Sequence, residues 1–123
     1  VYMFVRGIRG ATTIEENCKE EIISKTTELI QTIISENNID KEDIVSVTFS
    51  VTDDVSAEFP AVAARELGWT TVPLLCTREI PVPGSLQSCI RVLFHVNTEK
   101  SQKDIKSIYL HDAKKLRPDL ANK

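Results

Sequence analysis

The chain has 123 residues, of which 41% are hydrophobic and 27% charged, with a formal net charge of −3. That length holds one domain with one core, and the balance is that of a soluble globular protein. The absence of a basic tract and an aromatic share of 6% exclude nucleic acid as an expected partner, and no apolar run approaches the ~20 residues of a membrane span.

In chain order, residues 2–9 read as a strand. Met3, Val5, Gly7 and Arg9 share one face; Tyr2, Phe4, Arg6 and Ile8 share the other. Gly7 and Gly10 leave room for backbone or ligand. Thr12 and Thr13 stand three residues before Glu15 and Glu16, a capping-box spacing. A helix is therefore expected over residues 14–37, with Ile22, Thr26, Leu29, Ile30, Ile33 and Asn37 on its inner stripe. Arg6 and Arg9 would then sit at a strand end beside a helix N-terminus, a place to hold an anion.

Residues 44–51 alternate as a strand with Val45, Val47, Phe49 and Val51 inward, and Thr52-Asp53-Asp54 reads as a turn. Pro60 opens a short helix to Leu67, and Gly68 stops it. Residues 69–77 are extended, and Pro73 makes that strand an edge or irregular one. Pro81-Val82-Pro83-Gly84 is a turn. Residues 89–96 form a strand with Ile90, Val92, Phe94 and Val96 on one face. A helical turn over 101–106 leads to a last strand at 107–110. Residues 1–114 then form the domain, and 115–123 a mobile tail that Pro118 keeps extended. The order β-α-β-α-β-β, closed by the last short strand, with antiparallel neighbours late in the chain, gives an α+β class: a mixed β-sheet packed against helices.

Cys18, Cys76 and Cys89 are odd in number and widely spaced, matching neither a disulfide framework nor a zinc site. With no signal-peptide pattern at the start, a reducing cytoplasm is the expected setting. There is no P-loop, dinucleotide fingerprint, nucleophile elbow or metal-ligand spacing, so no metal and no cofactor are expected. His95 and His111 read as ordinary satisfied side chains. Cys18 and Cys89 read as packing residues, and Cys76 has no visible triad partner.

The arginines remain. Arg91 shares a strand face with Cys89, Leu93 and His95, while the opposite face is wholly apolar. Spacing alone balances a site against an outward salt bridge. Arg9, between two glycines, leans toward a site; Arg6 toward a solvated or paired role. Arg65 on the short helix reads as a surface charge, and Tyr109 as a core or rim residue. Glu79 alone says little. Taken together, several arginines, one carboxylate, one thiol, one tyrosine and no general base suggest a site that binds a small polyanion. Such a site acts through positioning and fixed charge.

Several segments in order carry a resemblance. They are Arg6-Gly7-Ile8-Arg9-Gly10-Ala11-Thr12-Thr13, Phe59-Pro60-Ala61 through Arg65-Glu66-Leu67, Val72-Pro73 through Cys76 and Glu79, Cys89-Ile90-Arg91-Val92, and Tyr109 with Leu116-Arg117-Pro118-Asp119-Leu120. At these spacings, over nearly the whole chain, the sequence resembles the monofunctional AroH class of chorismate mutase. The resemblance implies a cofactor-free pericyclic rearrangement of chorismate to prephenate, toward phenylalanine and tyrosine. It also implies a homotrimer forming a pseudo-barrel, with active sites in the clefts between subunits. Carried over, Arg91 would face the ether oxygen and Glu79 the substrate hydroxyl. Arg9 would hold a carboxylate, with Tyr109 and Cys76 completing the polar lining. Phe59 and Leu116 would be apolar walls, and Arg65 and Arg117 would stand at the mouth. Two positions depart from the family pattern: Val62 replaces a lysine and Leu75 a small hydroxyl residue. Two other readings compete, a Rid-type imine deaminase and a non-enzymatic carboxylate-binding domain. The co-occurrence of Arg9, Glu79 and Arg91 argues against the first, and the presence of both Arg91 and Glu79 against the second.

Overall fold

The computed structural model describes residues 3–121. Tyr2, expected in the first strand, and Asn122 and Lys123 of the tail lie outside the described residues. Strand β1 (Phe4–Thr13) runs further than expected, through both glycines and both threonines. Its ladder with a later strand, β4 (Cys89–Thr98), continues to the pair Thr13 and Cys89, and the Ile14 amide then donates to the Ser88 carbonyl at 2.9 Å. Backbone pairing claims the residues that the capping-box spacing had assigned to a helix start. Helix α1 (Lys19–Asn37) begins at an uncapped Cys18, with Glu20 and Glu21 in its first turn, where carboxylates suit the helix dipole. Arg9 therefore lies inside a strand, not at a strand end beside a helix N-terminus.

Gly10 has a different use from ligand approach. A Cβ there would meet Ile33 Cδ1 at 2.8 Å, the Ile108 carbonyl at 3.0 Å and Leu29 Cδ1 at 3.2 Å. The missing side chain lets α1 lie close on β1. The expected stripe of α1, from Ile22 to Asn37, is buried in full. Asn38 at φ 51° closes the helix, its amide bonding to the Ile34 carbonyl.

Strand β2 (Ile44–Val51) has the expected limits. Its start departs from simple alternation, because a bulge between Ile44 and Ser46 shifts the register. Ile44 turns inward and Val45 is left 41% exposed, so Val45 is not a core residue. Helix α2 (Ala61–Glu66) follows Pro60 and stops before Gly68, whose φ of 89° suits glycine. Residues 69–73 are irregular, with a bend at 70–72, rather than strand, although Trp69 is buried edge-on to Phe94. Strand β3 (Leu74–Arg78) starts just after Pro73, whose carbonyl accepts from the Val47 amide at 3.0 Å.

With β5 (Ile108–Tyr109), the strands make one five-stranded sheet in the order β3-β2-β4-β1-β5. The edge position of β3 agrees with its proline. The antiparallel pairs are β4 with β1 and β4 with β2, while β3 and β5 run parallel to their neighbours. The late strands thus pair with early ones, not with each other. One sheet face carries Ile8, Val47, Phe49, Val92, Phe94 and Val96, which form the main core with α1, α2 and Trp69. The other face carries Arg9, Thr48, Ser50, Arg91 and Leu93. The tail is not extended. A 3₁₀ segment (His111–Lys115) leads to α3 (Pro118–Ala121), where proline in the first turn loses no helical bond. Leu116 and Leu120 pack against Ala11, Cys89, Tyr109 and Ala113.

Candidate active site

Strand alternation builds the site. Because neighbours point to opposite faces, every residue on the polar face of a central strand flanks a core residue. Two rows cross that face. In one, Ser50, Arg91, Ala11 and Tyr109 stand in register across β2, β4, β1 and β5; in the other, Thr48, Leu93 and Arg9 do. An open cleft of about 310 Å³ lies over both rows, bounded also by Glu79, Leu116 and Arg117. Three arginines and one carboxylate line it.

Glu79 follows the end of β3, and its amide is held by the Val51 carbonyl at 2.8 Å. Its Oε1 accepts from Ser50 Oγ at 2.7 Å and lies 3.9 Å from Arg91 Nε. The two side chains are 31% and 45% exposed, so the pair faces the cleft without being sealed in. Arg117 pairs with Asp119 through two bonds of 3.1 and 3.0 Å. The hydrogen bond and the charge of Asp119 raise the Arg117 pKa, and the same bond lowers that of Asp119. Cys89 is buried two residues before Arg91 on β4, beside a second cavity next to the cleft. Burial pushes its thiol up to about 11, although Arg91 pulls the other way, so it is protonated at neutral pH and is no nucleophile.

Six residues singled out from the sequence therefore meet in one place: Arg9, Glu79, Arg91, Tyr109, Leu116 and Arg117. Three do not. Phe59 and Cys76 line a separate groove beside Val51 and Pro60, and Arg65 borders a depression with Trp69, Val72 and Leu74. Thr48 and Ser50 were missed, yet the alternation of residues 44–51 already put them on the polar face. Arg6 is spoken for, with Nε donating to the Lys100 carbonyl at 2.9 Å and the guanidinium 4.7 Å above the Phe4 ring. His95 lies 3.3 Å from Ser46 Oγ, and His111 pairs with Glu28 at 2.8 Å. Among the described residues no cluster could hold a metal ion, and no helix is long and apolar enough to cross a membrane.

The family model for chorismate mutase type I matches residues 5–120. The chain belongs to the type I chorismate mutase family. It is 48% identical over 120 residues to chorismate mutase AroH of Bacillus subtilis (strain 168), covering 97% of this chain and 94% of that protein. It is 49% identical over 117 residues to chorismate mutase AroH of Thermus thermophilus, covering 94% of this chain and 96% of the other. A solved structure of a chorismate mutase from Clostridium thermocellum superposes with a TM-score of 0.86 at 51% identity, over 88% of this chain and 96% of that one. The family is one of isomerases, and the mixed sheet with few helices is its fold.

Proposed function

We propose that the cleft is one wall of the site where this chorismate mutase rearranges chorismate to prephenate, and that a neighbouring subunit of a homotrimer supplies the other wall. The charge of the cleft carries this reading: Arg9 and Arg91 stand against the single carboxylate of Glu79, and Arg117 at the mouth is balanced by Asp119, a net positive charge that suits a substrate with two carboxylates. The reaction is unimolecular. One C–O bond breaks as one C–C bond forms, and no proton or electron enters or leaves. What the protein must supply is shape and fixed charge.

Arg91 faces the ether oxygen, where negative charge grows as the C–O bond lengthens. Glu79 takes the substrate hydroxyl and offsets positive character on the ring fragment. Ser50 occupies its Oε1 at 2.7 Å, which leaves Oε2 for that hydroxyl. Arg9 holds a carboxylate, with Tyr109 beside it. Leu116 is an apolar wall, and Arg117 at the mouth must exchange Asp119 for substrate. Phe59, Cys76 and Arg65 reach the site from the adjacent subunit. Two features support an intersubunit position: these three lie away from the cleft of their own chain, and Phe59 is 64% exposed with Leu75 and Leu93 also bare. Residues 1–114 form the domain that carries the cleft, and the segment after it adds Leu116 and Arg117 to the lining. The three cysteines are free, which supports a reducing cytoplasm as the setting.

The test is direct. Purified protein added to chorismate without metal or cofactor should lower its ultraviolet absorbance and yield prephenate in equal amount. No turnover would sink the reading.

A further inference from the structure

We propose that Asp54 is a positioning residue for Arg91: its carboxylate latches the loop ahead of β4 and so fixes where the guanidinium stands. The inference rests on Arg91 being the cation at the breaking bond.

The loop from Glu79 to Ser88 has little beneath it. It borders a cavity of about 240 Å³ lined by Glu79, Ile80, Val82, Leu86, Gln87 and Arg91; Leu86 packs on the small cluster around Tyr109, while Ile80 and Val82 are exposed. Its ends are held by hydrogen bonds. At the near end the Glu79 amide donates to the Val51 carbonyl at 2.8 Å. At the far end Ser88 takes φ 54°, a conformation that a residue with a side chain adopts only when its surroundings impose it.

Asp54 supplies that imposition. Its two oxygens accept from the Ser88 amide at 2.9 and 3.1 Å, and Oδ2 also accepts from Ser88 Oγ at 2.8 Å. Thr52 Oγ1 donates to Asp54 Oδ1 at 2.6 Å. With its proton committed there, the Thr52 oxygen accepts from the buried Cys89 amide at 3.0 Å, while the Thr52 amide donates to the Cys89 carbonyl at 3.1 Å. Cys89 is the first residue of β4, and Arg91 is next on the same strand face. Partial burial pushes the Asp54 carboxyl up, but the bonds from Thr52 and Ser88 outweigh it and hold its pKa below the ordinary value. An ionised carboxylate only accepts, which is what this set of donors needs.

The experiment compares steady-state chorismate kinetics of the full chain with Asp54→Ala, Asp54→Asn, Ser88→Gly and the Asp54→Ala/Ser88→Gly double variant. Each is assayed well below its measured melting temperature. Displacing a reacting group by about 1 Å costs up to ~10²-fold in rate, so Asp54→Ala should lower kcat by roughly 10- to 10²-fold with a smaller change in KM. Asp54→Asn should recover part of the loss, since the amide keeps one acceptor oxygen. Glycine takes positive φ unaided, so the Asp54→Ala penalty in kcat should shrink in the Ser88→Gly background. A purely structural role would lower the melting temperature and leave kcat of the folded enzyme intact. Parental kcat in folded Asp54→Ala, or an equal penalty in both backgrounds, overturns the proposal. If Asp54→Ala does not fold, Asp54→Asn with and without Ser88→Gly gives the same comparison. Arg91→Ala is run beside them. If it loses rate while the Asp54 variants do not, only the latch fails; if it keeps parental rate, the reading of Arg91 itself has failed.

Discussion

Arg91 offers the sharpest test of how this site works. In ground-state chorismate the ether oxygen carries little charge; in the transition state it carries roughly half a unit. At a hydrogen-bond distance of ~3 Å, a fixed cation gains about 3 kcal/mol from that charge at an effective dielectric of about 20, but only about 0.7 kcal/mol in bulk water. The Arg91 side chain is 45% exposed and that of Glu79 31%, on the central strand of the sheet, so the intermediate value applies. The attraction between Arg91 and Glu79, 3.9 Å apart, exists in both states and largely cancels. Arg91→Ala should therefore lower kcat by at least ~10²-fold. A second subunit closing the cleft would move the loss into the ~10²–10³ range found when a donor to an oxyanion is removed, or beyond it. Arg91→Lys should recover only part, because an ammonium cannot reproduce the planar fork. The decisive variant replaces Arg91 with citrulline, which keeps shape and donors but deletes the charge. Stopped-flow or steady-state absorbance would follow chorismate loss. If citrulline restored near-parental kcat, the charge argument would be refuted and Arg91 would merely position the substrate.

Other outcomes follow from the same geometry. Glu79→Gln should lower kcat while chorismate still binds, since the amide keeps a hydrogen bond but loses the charge; calorimetric titration beside kinetics separates the two, and parental kcat would remove the electrostatic role of Glu79. Truncation after Lys115 removes Leu116 and Leu120 from the small cluster around Tyr109 but nothing from the main core. The truncated chain should fold, as circular dichroism would report, and lose mainly kcat/KM at low substrate. Light scattering should give the mass of a trimer, and a stable, fully active monomer would contradict the shared site.

Much of the fold could be read from the pattern, and its failures have physical causes. The inner stripe of α1 and the alternation of β4 were legible because burial on one face imposes a period. The start of α1 was not, since Thr12 and Thr13 have good local reasons to cap a helix but are claimed by pairing with β4. Val45 was misplaced by a bulge, which leaves no mark in the alternation itself. The tail was read as extended because Pro118 suggests it, whereas proline serves equally to open α3. At the site, Arg9 and Arg91 were visible as charges beside apolar or glycine neighbours. Glu79 became meaningful only through space, where Ser50 and Arg91 converge on it.

One strand performs two tasks that would otherwise compete. Ile90, Val92 and Phe94 on β4 are buried against the helices, while Arg91 and Leu93 between them face the cleft. Dispersion and the hydrophobic effect act on the first set and fix the backbone within a close-packed interior. The second set inherits that rigidity without being buried itself. A guanidinium mounted this way needs little reorganisation when charge appears on a substrate oxygen, and low reorganisation is where fixed charge outperforms water as a solvent for the transition state. The same arrangement limits what the core can correct. Core packing sets the height of Arg91 above the sheet, and its pairing with Ala11 and Ser50 sets its place along the strand, in a register that begins at Ser88 and Cys89. There the restraint is polar, made by Thr52 and Asp54, and a rearrangement that depends on fixed charge has to hold its cation along both directions at once.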